Sequence, residues 1–395
     1  MVSIIDFCCP NFAENITFMN KTYIALIMIA LANLFQPCTA QLTPEFVKTV
    51  VTETREKYHL PGLTVITINK DEILAHEFQG TRSITNDNPI ARDDFFHIGS
   101  CSKPVLAVIA GKLTEMKQIE WDTRFFSLFP ELENSSLPEY KHITLENLLT
   151  CTAGIQPFTN LSQEEFPTYT ENGFEKNEFA RYLLNKKSLA PYKKGKFGFL
   201  YSNASYTLAS MMLEKVSKMS YNELINKFID HDLQINTFTG FPNKHDPEQP
   251  WGHIIQNDQI EPFAPDHEYI LPSLIKPAGD LSMQPDGFAR FTQLNLRGLE
   301  GIDDFLSAKT IQYIHFAHRP FSLGTGNGTL GGLTISGTDG STGTFFCRSL
   351  IFPEADFALI IMTNAGNGTG RMKSVEYLTK RLLKKQFNWW WKFWM

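Results

Sequence analysis

The 395-residue sequence lacks the excess of basic residues that binding to nucleic acid requires. It has 36 lysines and arginines against 42 aspartates and glutamates, which gives a formal net charge of −6. This balance supplies no positive field for a phosphate backbone, so we expect no nucleic-acid partner. Hydrophobic residues make up 43% and charged residues 20% of the chain. This composition predicts a globular protein with a sizeable core.

The sequence also lacks the motifs of several well-known catalytic and metal sites. It contains no Gly-x-Ser-x-Gly, no His-Glu-x-x-His, no Cys-x-x-Cys and no phosphate-binding loop. His315 and His318 have helical spacing, but no third ligand is evident, so we interpret both as structural. We therefore expect neither a metal nor a cofactor.

A long apolar run is missing as well. The run Tyr23 to Phe35 is shorter than the ~20 residues that a permanent membrane helix needs. It follows Lys21 and precedes a stretch that ends in small residues at Ala40, which predicts an export signal over residues 1–40. The residues before Met19 include two acids and no base, so translation from Met19 is our favoured start. We expect an exported protein, periplasmic or secreted.

Cysteine is scarce once that signal is set aside. Only Cys101, Cys151 and Cys347 remain of the six cysteines. An odd count in a long chain is no disulfide framework, although one bridge is compatible with it. We interpret the three as small buried residues.

Apolar periodicity predicts that both chain ends contribute strands to one sheet. A helix is expected at 44–58 and another near the C-terminus, and the region 100–233 is mostly helical in pattern. The predicted strands are 63–68, 73–78, 330–335, 344–352 and 357–363. Neither set of strands could bury both faces alone. We therefore expect an α+β fold with one antiparallel sheet built from both chain ends, flanking helices and a helical subregion, in one domain over residues 41–388.

The last seven residues, 389–395, form an aromatic tail that holds four of the six tryptophans. Aromatic rings beside Lys384, Lys385 and Lys392 are typical of weak contact with a membrane interface. A locally packed or disordered tail is an equal alternative.

Three short segments carry residues that could perform chemistry. Ser100-Cys101-Ser102-Lys103 starts an apolar helical stretch, which would place the Lys103 ammonium beside the Ser100 hydroxyl and leave helix N–H groups free nearby. A second Ser-x-x-Lys, 273–276, lies between two prolines, where we expect no helix start. Tyr201-Ser202-Asn203 is the only Tyr-x-Asn, and Gly337 to Gly343 is a glycine-rich stretch before a predicted strand. Alone, each is also explained by a helix cap or a turn.

Taken in this order, the three segments resemble the motifs of the serine β-lactamase and penicillin-binding-protein superfamily. The branch with class C β-lactamases, esterases and D-amino-acid peptidases is the most similar. Further similar segments are 96–104, 143–155, 199–203 and 277–281. The likeness extends from about Leu42 to Lys384.

The resemblance implies a β-lactamase/transpeptidase-like fold and a role for each motif. Ser100 would be the nucleophile that forms an acyl-enzyme, Lys103 its proton-shuttling neighbour, and Tyr201 the general base and acid. The residues implied in substrate binding are Asn203, Thr338, Asp339 and Gly340, and the oxyanion hole would consist of the backbone N–H groups of Ser100 and Ser341.

Two positions depart from the family pattern. The family usually has Lys or His where Thr338 stands, and commonly His where Cys151 stands. A free tyrosine is only ~0.1% phenolate at pH 7, so Lys103 would have to supply the required positive charge alone. The change at 338 also removes the usual anchor for a substrate carboxylate, and Asp339 beside it would repel that anion. Lys193 to Lys196 could restore an anion site, but a solvated loop is the favoured interpretation.

We therefore expect hydrolysis of small neutral esters, or of amides that bear a free amine. β-Lactamase or D-amino-acid peptidase activity is the first alternative, with a β-lactam or peptide as substrate. A catalytically weak binding or sensing protein is the alternative from another class, and Thr338 is the feature that separates it from an efficient enzyme.

Overall fold

The computed structural model describes residues 42–159, 176–256, 259–366 and 369–389. The expected export signal and the tail beyond Trp389 lie outside these ranges, so both stay predictions. In the part of the chain that is described, no helix is long and apolar enough to cross a bilayer.

Six of the fourteen strands in the described residues form one large sheet. In chain order the strands are β1 (Gly62–Ile68), β2 (Ile73–Gly80), β3 (Phe96–His97), β4 (Tyr192–Lys193), β5 (Lys196–Phe197), β6 (Thr237–Thr239), β7 (Gly252–Gln256), β8 (Gln259–Phe263), β9 (Leu281–Met283), β10 (Gly326–Leu330), β11 (Leu333–Ser341), β12 (Phe346–Phe352), β13 (Phe357–Thr363) and β14 (Ala365–Gly366). The large sheet has the order β10-β11-β12-β13-β1-β2 and is antiparallel throughout.

The sheet joins the two chain ends, and this confirms the expected α+β architecture. Strand β1 pairs with β13 in the register Val65 to Ile361, and Thr363 Oγ1 donates to the Gly62 carbonyl oxygen at 2.6 Å, 301 positions away. β1 and β13 are buried along their whole length because both faces of the sheet are covered. Such strands are mostly apolar instead of alternating, although β1 also buries Thr64 and Thr67.

Helices cover both faces of this sheet. In chain order they are α1 (Pro44–Lys57), α2 (Ser102–Glu115), α3 (Phe125–Leu128), α4 (Pro130–Glu133), α5 (Leu145–Leu149), α6 (Lys176–Leu184), α7 (Asn203–Ser217), α8 (Tyr221–Ile225), α9 (Pro242–His245), α10 (Lys276–Gly279), α11 (Pro285–Leu299), α12 (Ala308–Phe316) and α13 (Thr369–Gln386). Short 3-10 turns occupy Gly99–Cys101, Pro138–Tyr140, Ser273–Ile275 and Pro353–Ala355.

The side chains of the sheet divide between two cores. Val65 and Ile361 pack with α1 and α13, whose exposed sides are linked by an ion pair between Arg381 and Glu53 at 2.9 Å. Ile66 and Ile360 point the other way, into the larger core with α2, α11 and the helical region. Successive residues of a strand point to opposite faces, so each sheet residue belongs to one core.

The expected strand 330–335 is wrong, because the chain reverses within it. Gly331 and Gly332 both have positive φ, 62° and 92°, and form the two-residue turn between β10 and β11. Two consecutive positive φ angles suit a tight hairpin turn and favour glycine. The expected strand 344–352 starts two residues later, at Phe346.

The first residue of the aromatic tail is part of the smaller core. Trp389 is 5% exposed and its ring centroid lies 4.6 Å from that of Phe387. An added Cβ on Gly331 would meet the Trp389 ring at 2.4 Å, so this indole covers the hairpin turn. Trp389 is therefore buried rather than presented to a membrane.

His315 and His318 form hydrogen bonds with different residues. His315 is fully buried, with Nδ1 at 2.7 Å from Ser336 Oγ and Nε2 at 2.9 Å from Asn295 Oδ1. Nε2 of His318 lies 2.6 Å from a carboxylate oxygen of Glu146. Within the described residues, no group of three histidines, cysteines, aspartates or glutamates is placed to hold a metal.

Burial makes His315 a pH-dependent contributor to stability. It lowers the pKa of the ring from 6.5 to about 3, whereas the unfolded chain protonates near 6.5. The contribution is complete above pH 6.5 and is lost as pH falls toward the folded pKa. Between pH 7 and 5 the loss amounts to about 2 kcal/mol.

Urea unfolding at pH 7 and pH 5 tests this expectation. We expect His315→Gln to be less stable than wild type at pH 7 and to lose about 2 kcal/mol less on acidification to pH 5. An identical pH dependence in the two proteins would contradict it.

Candidate active site

Ser100 lies in the 3-10 turn that leads directly into α2. The turn Gly99–Cys101 places the Ser100 hydroxyl beside the first turn of the helix, where Lys103 is wholly buried. Lys103 Nζ donates to Ser100 Oγ at 3.0 Å. The Ser-x-x-Lys spacing therefore produces the contact expected for residues three apart on a helix.

The buried Lys103 ammonium has an acceptor for each of its three protons. Besides Ser100 Oγ, Nζ donates to Asn203 Oδ1 at 2.8 Å and to the Ala278 carbonyl oxygen at 2.7 Å. An ammonium has three donors and no acceptor, so this environment satisfies the charged form. Without such partners a buried charge would be strongly unfavourable. Ala278 was not among the predicted site residues, although it lies in the similar segment 277–281.

Tyr201 reaches the nucleophile from the loop before α7. Ser202 caps that helix by accepting the Ser205 N–H at 2.9 Å, which fixes the residue before it at the helix start. The Tyr201 hydroxyl donates to Ser100 Oγ at 2.9 Å, and Lys103 Nζ lies 4.8 Å from the centre of the phenol ring. One serine oxygen is thus shared by a phenol and an ammonium.

The Asn203 side chain forms hydrogen bonds with Lys103 and with the loop at Phe158. Its Oδ1 accepts from Lys103, and its Nδ2 donates to the Phe158 carbonyl oxygen at 2.9 Å. The side chain expected to contact substrate is therefore held within the protein.

Glycine allows β11 to approach the nucleophile turn closely. A Cβ added to Gly340 would lie 1.9 Å from the Ile98 carbonyl oxygen and 2.9 Å from Ser100 N, and one on Gly99 would lie 2.5 Å from Ser341 N. Gly99 also has a positive φ of 53°. The two backbone segments that carry the amides expected to form the oxyanion hole, those of Ser100 and Ser341, are thus in contact.

Strand β11 is an inner strand of the sheet, but only part of it has a strand on each side. The outer strand β10 pairs with it only as far as Gly337, which faces Gly326. From Thr338 to Ser341, β11 pairs with β12 on one side and lies beside the nucleophile turn. Thr338 Oγ1 donates to the Gly324 carbonyl oxygen at 3.3 Å.

Asp339 is placed differently from the expectation that it stands beside Thr338 as a repelling charge. Alternation along β11 points its carboxylate away from the Thr338 side chain and toward Arg348, which holds it at 2.7 and 2.6 Å. Arg348 also donates to Glu376 at 2.9 Å and to Thr379 at 3.1 Å. This ion pair and the added hydrogen bonds raise the pKa of Arg348. The Asp339 carboxylate is therefore paired, although it shares the single guanidinium with Glu376.

The three cysteines at 101, 151 and 347 are all buried. Cys151 lies behind the tyrosine loop, with Sγ 3.9 Å from the Ser202 carbonyl oxygen, and burial raises the pKa of its thiol to about 11. Cys101 and Cys347 are also buried free thiols.

Lys193 to Lys196 form the exposed hairpin β4–β5. The expectation of no helical start at the second motif is wrong, because Ser273–Ile275 is a 3-10 turn.

A cleft of about 650 Å³ adjoins the phenol of Tyr201. Its walls include the apolar side chains of Phe321, Leu350 and Ile335, and Thr338 also lines it. The arrangement offers a nucleophile and a buried cation in contact with Tyr201, which lines this cleft. Such a set is suited to acyl transfer.

The chain matches a known protein family. The family described as Beta-lactamase matches residues 47–384. The chain belongs to the Beta-lactamase family. The superfamily resemblance drawn from the three motifs is thereby confirmed.

Individual relatives of this Beta-lactamase family member are distant. It is 25% identical over 194 residues to Penicillin-binding protein 4* of Bacillus subtilis (strain 168), which is 49% of this chain and 41% of that protein. It is 24% identical over 295 residues to a Beta-lactamase of Escherichia coli (strain K12), 74% of this chain and 69% of that protein. The chain thus spans about two fifths of the length of the first of these relatives.

The fold is shared with a solved D-amino acid amidase from Ochrobactrum anthropi SV3, complexed with L-phenylalanine. The TM-score is 0.71 at 19% identity, over 87% of this chain and 98% of that one. This similarity confirms the β-lactamase/transpeptidase-like fold.

The tight contact at Gly340 yields a test of the site geometry. Gly340→Ala would force β11 away from the backbone of the nucleophile turn, because the atom it meets at 1.9 Å is a main-chain oxygen. We expect labelling of Ser100 by a serine-directed fluorophosphonate to slow at least ~100-fold.

Gly198→Ala is the matched control, since its added Cβ would make only an ordinary 3.5 Å contact with Pro191. Labelling at the wild-type rate in a folded Gly340→Ala protein would show that this approach does not shape the site.

Proposed function

We propose that this protein is an exported serine hydrolase that transfers the acyl group of a small substrate to water through an acyl-enzyme on Ser100. The observation that carries the proposal is the convergence on Ser100 Oγ of the Tyr201 hydroxyl at 2.9 Å and Lys103 Nζ at 3.0 Å. Membership of the Beta-lactamase family supports it. The nucleophile is thereby provided with a proton acceptor and a fixed cation.

In the proposed acylation, Tyr201 acts as the phenolate, and Ser100 Oγ attacks the substrate carbonyl carbon while its proton moves to the phenolate oxygen. The Lys103 ammonium favours the phenolate, because opposite charges at close range stabilise each other. The carbonyl oxygen becomes an oxyanion that accepts from the Ser100 and Ser341 N–H groups. When the tetrahedral intermediate collapses, the leaving group takes the proton from Tyr201 and departs neutral.

Deacylation repeats these steps with water. Tyr201 accepts a proton from the attacking water, the oxyanion forms in the same place, and the bond to Ser100 Oγ breaks as the proton returns to it. Asn203 and the Ala278 carbonyl keep the lysine charge in position throughout. Both half-reactions thus use the same groups.

The cleft supports small esters as substrates, or amides that carry a free amine. Thr338 offers a hydroxyl where a carboxylate-bearing substrate would need a cation, and its Oγ1 already donates to the Gly324 carbonyl. Among the described residues that line the cleft, Arg348 is the one cation, and Asp339 and Glu376 compensate it. A substrate carboxylate would therefore find little to balance its charge.

β-Lactamase or D-amino-acid peptidase activity is the second candidate. The names of the relatives from E. coli and B. subtilis and the amidase fold similarity favour it. A slowly acylated binding or sensing protein is the candidate from another class, for which the neutral side chain of Thr338 is the supporting feature.

Replacement of the phenol tests the mechanism. We expect Tyr201→Phe to lower kcat at least ~100-fold, because the variant keeps the ring and removes the proton acceptor. Ser100→Ala is the inactive control, for which we expect no turnover and no acyl adduct by intact-mass spectrometry. Near-wild-type hydrolysis of p-nitrophenyl acetate by either variant would contradict the assigned roles.

A substrate panel tests the specificity. We expect p-nitrophenyl acetate and butyrate to be hydrolysed with a higher kcat/KM than a chromogenic cephalosporin, because the described residues that line the cleft include no unpaired cation for the cephalosporin carboxylate. Thr338→His should raise kcat/KM for the cephalosporin about 10-fold or more by supplying a donor and a partial charge. A wild-type preference for the cephalosporin would favour the second candidate instead.

A further inference from the structure

His97 and Asp280 form a buried pair directly behind the nucleophile turn. His97 is 1% exposed and the Asp280 side chain 5% exposed, and His97 Nε2 lies 3.1 Å from Asp280 Oδ1. Rings of Phe241 and Phe345 pack beside the imidazole at 4.8 and 6.5 Å between centroids. A polar pair in such a setting requires satisfied hydrogen bonds.

The second nitrogen of His97 holds the backbone next to the nucleophile. The Gly99 N–H donates to His97 Nδ1 at 3.1 Å, so Nδ1 is an acceptor and the ring proton lies on Nε2, facing Asp280. Asp280 thus selects the tautomer that can accept from Gly99. The carbonyl of Gly99 is held as well, because it accepts the Ser102 hydroxyl at 2.7 Å.

Gly99 is the residue whose position decides the geometry of the oxyanion hole. Its φ of 53° is left-handed, and the space for a Cβ is filled by Ser341 N at 2.5 Å. A displacement of Gly99 therefore moves the Ser100 N–H relative to the Ser341 N–H. The oxyanion hole depends on donors placed within a few tenths of an ångström.

We propose that His97 and Asp280 are positioning residues that set the oxyanion hole through Gly99. This inference rests on the proposed acyl transfer at Ser100. The same short segment that supplies Asp280 also supplies the Ala278 carbonyl to Lys103 and the Leu281 carbonyl to the Ile98 N–H at 2.9 Å. One segment thus aligns the lysine and the nucleophile turn together.

Substitutions that keep or remove the acceptor at Nδ1 separate positioning from simple packing. His97→Asn places a carboxamide oxygen at the same number of bonds from Cβ as Nδ1, whereas His97→Leu removes the acceptor. We expect His97→Leu to lower kcat per titrated active site about 10- to 100-fold, with KM changed less than threefold. His97→Asn should stay within about fivefold of wild type. Asp280→Leu should resemble the Leu variant of His97, and Asp280→Asn the Asn variant.

The control is His253→Leu, another buried histidine, whose ring bonds the Asn364 carbonyl at 2.8 Å and the Ile84 N–H at 3.3 Å. It should lower the melting temperature while leaving kcat per active site within about twofold. A merely structural role for His97 would give the same result, namely lower stability and unchanged kcat, in both His97 variants, and would overturn the proposal.

Hydrogen exchange gives a second readout that needs no turnover. The Gly99 amide should exchange faster in His97→Leu than in wild type and stay protected in His97→Asn. Unchanged protection in His97→Leu would also overturn the proposal. A wild-type protein that forms no acyl adduct with any ester would defeat the proposed function instead, and the exchange comparison would then decide whether His97 holds Gly99.

Discussion

The site depends on one buried charge. Lys103 is enclosed completely, and its ammonium is acceptable there only because three separate segments each provide an oxygen. These are the nucleophile turn, the start of α7 and the segment after the 3-10 turn at Ser273–Ile275. Loss of any one would leave a proton of the ammonium without a partner. The charge thus compels three distant stretches of chain to meet at one point.

A second constraint is the absence of side chains between β11 and the nucleophile turn. Gly99 and Gly340 let two backbones touch, so amides can converge where side chains would otherwise separate them. Precision here comes from main-chain contact, and main chain is stiffer than a rotamer-rich side chain. The proposed positioning pair behind Gly99 fits this logic, because it acts on backbone.

Much of the architecture could be predicted from the sequence. The apolar strands at either chain end could not bury both of their faces alone, so the two sets were expected to form one sheet. The prediction of a strand at 330–335 was wrong because Gly331 and Gly332 form a two-residue turn that interrupts an otherwise continuous strand pattern. That dipeptide was a usable signal. The face of Asp339 was also predictable, since strand neighbours alternate and Thr338 was assigned to the site.

Other parts of the site carry no sequence signature. The acceptor at Ala278 is a carbonyl, which every residue has, and only the fold places it against Lys103. The partnership of His97 with Asp280 joins residues 183 positions apart, so neither local spacing nor composition could reveal it. The motifs therefore point to the candidate reacting groups, whereas the contacts around these groups are visible only in the folded structure.

The union of the two chain ends in one sheet bears on how the molecule is made. β1 leaves the ribosome some three hundred residues before its partner β13. Until β13 follows, one edge of the N-terminal hairpin β1–β2 lacks its native partner, and loop closure over that length is entropically unfavourable. Contact order of this kind delays completion of the sheet until β13 has been synthesised.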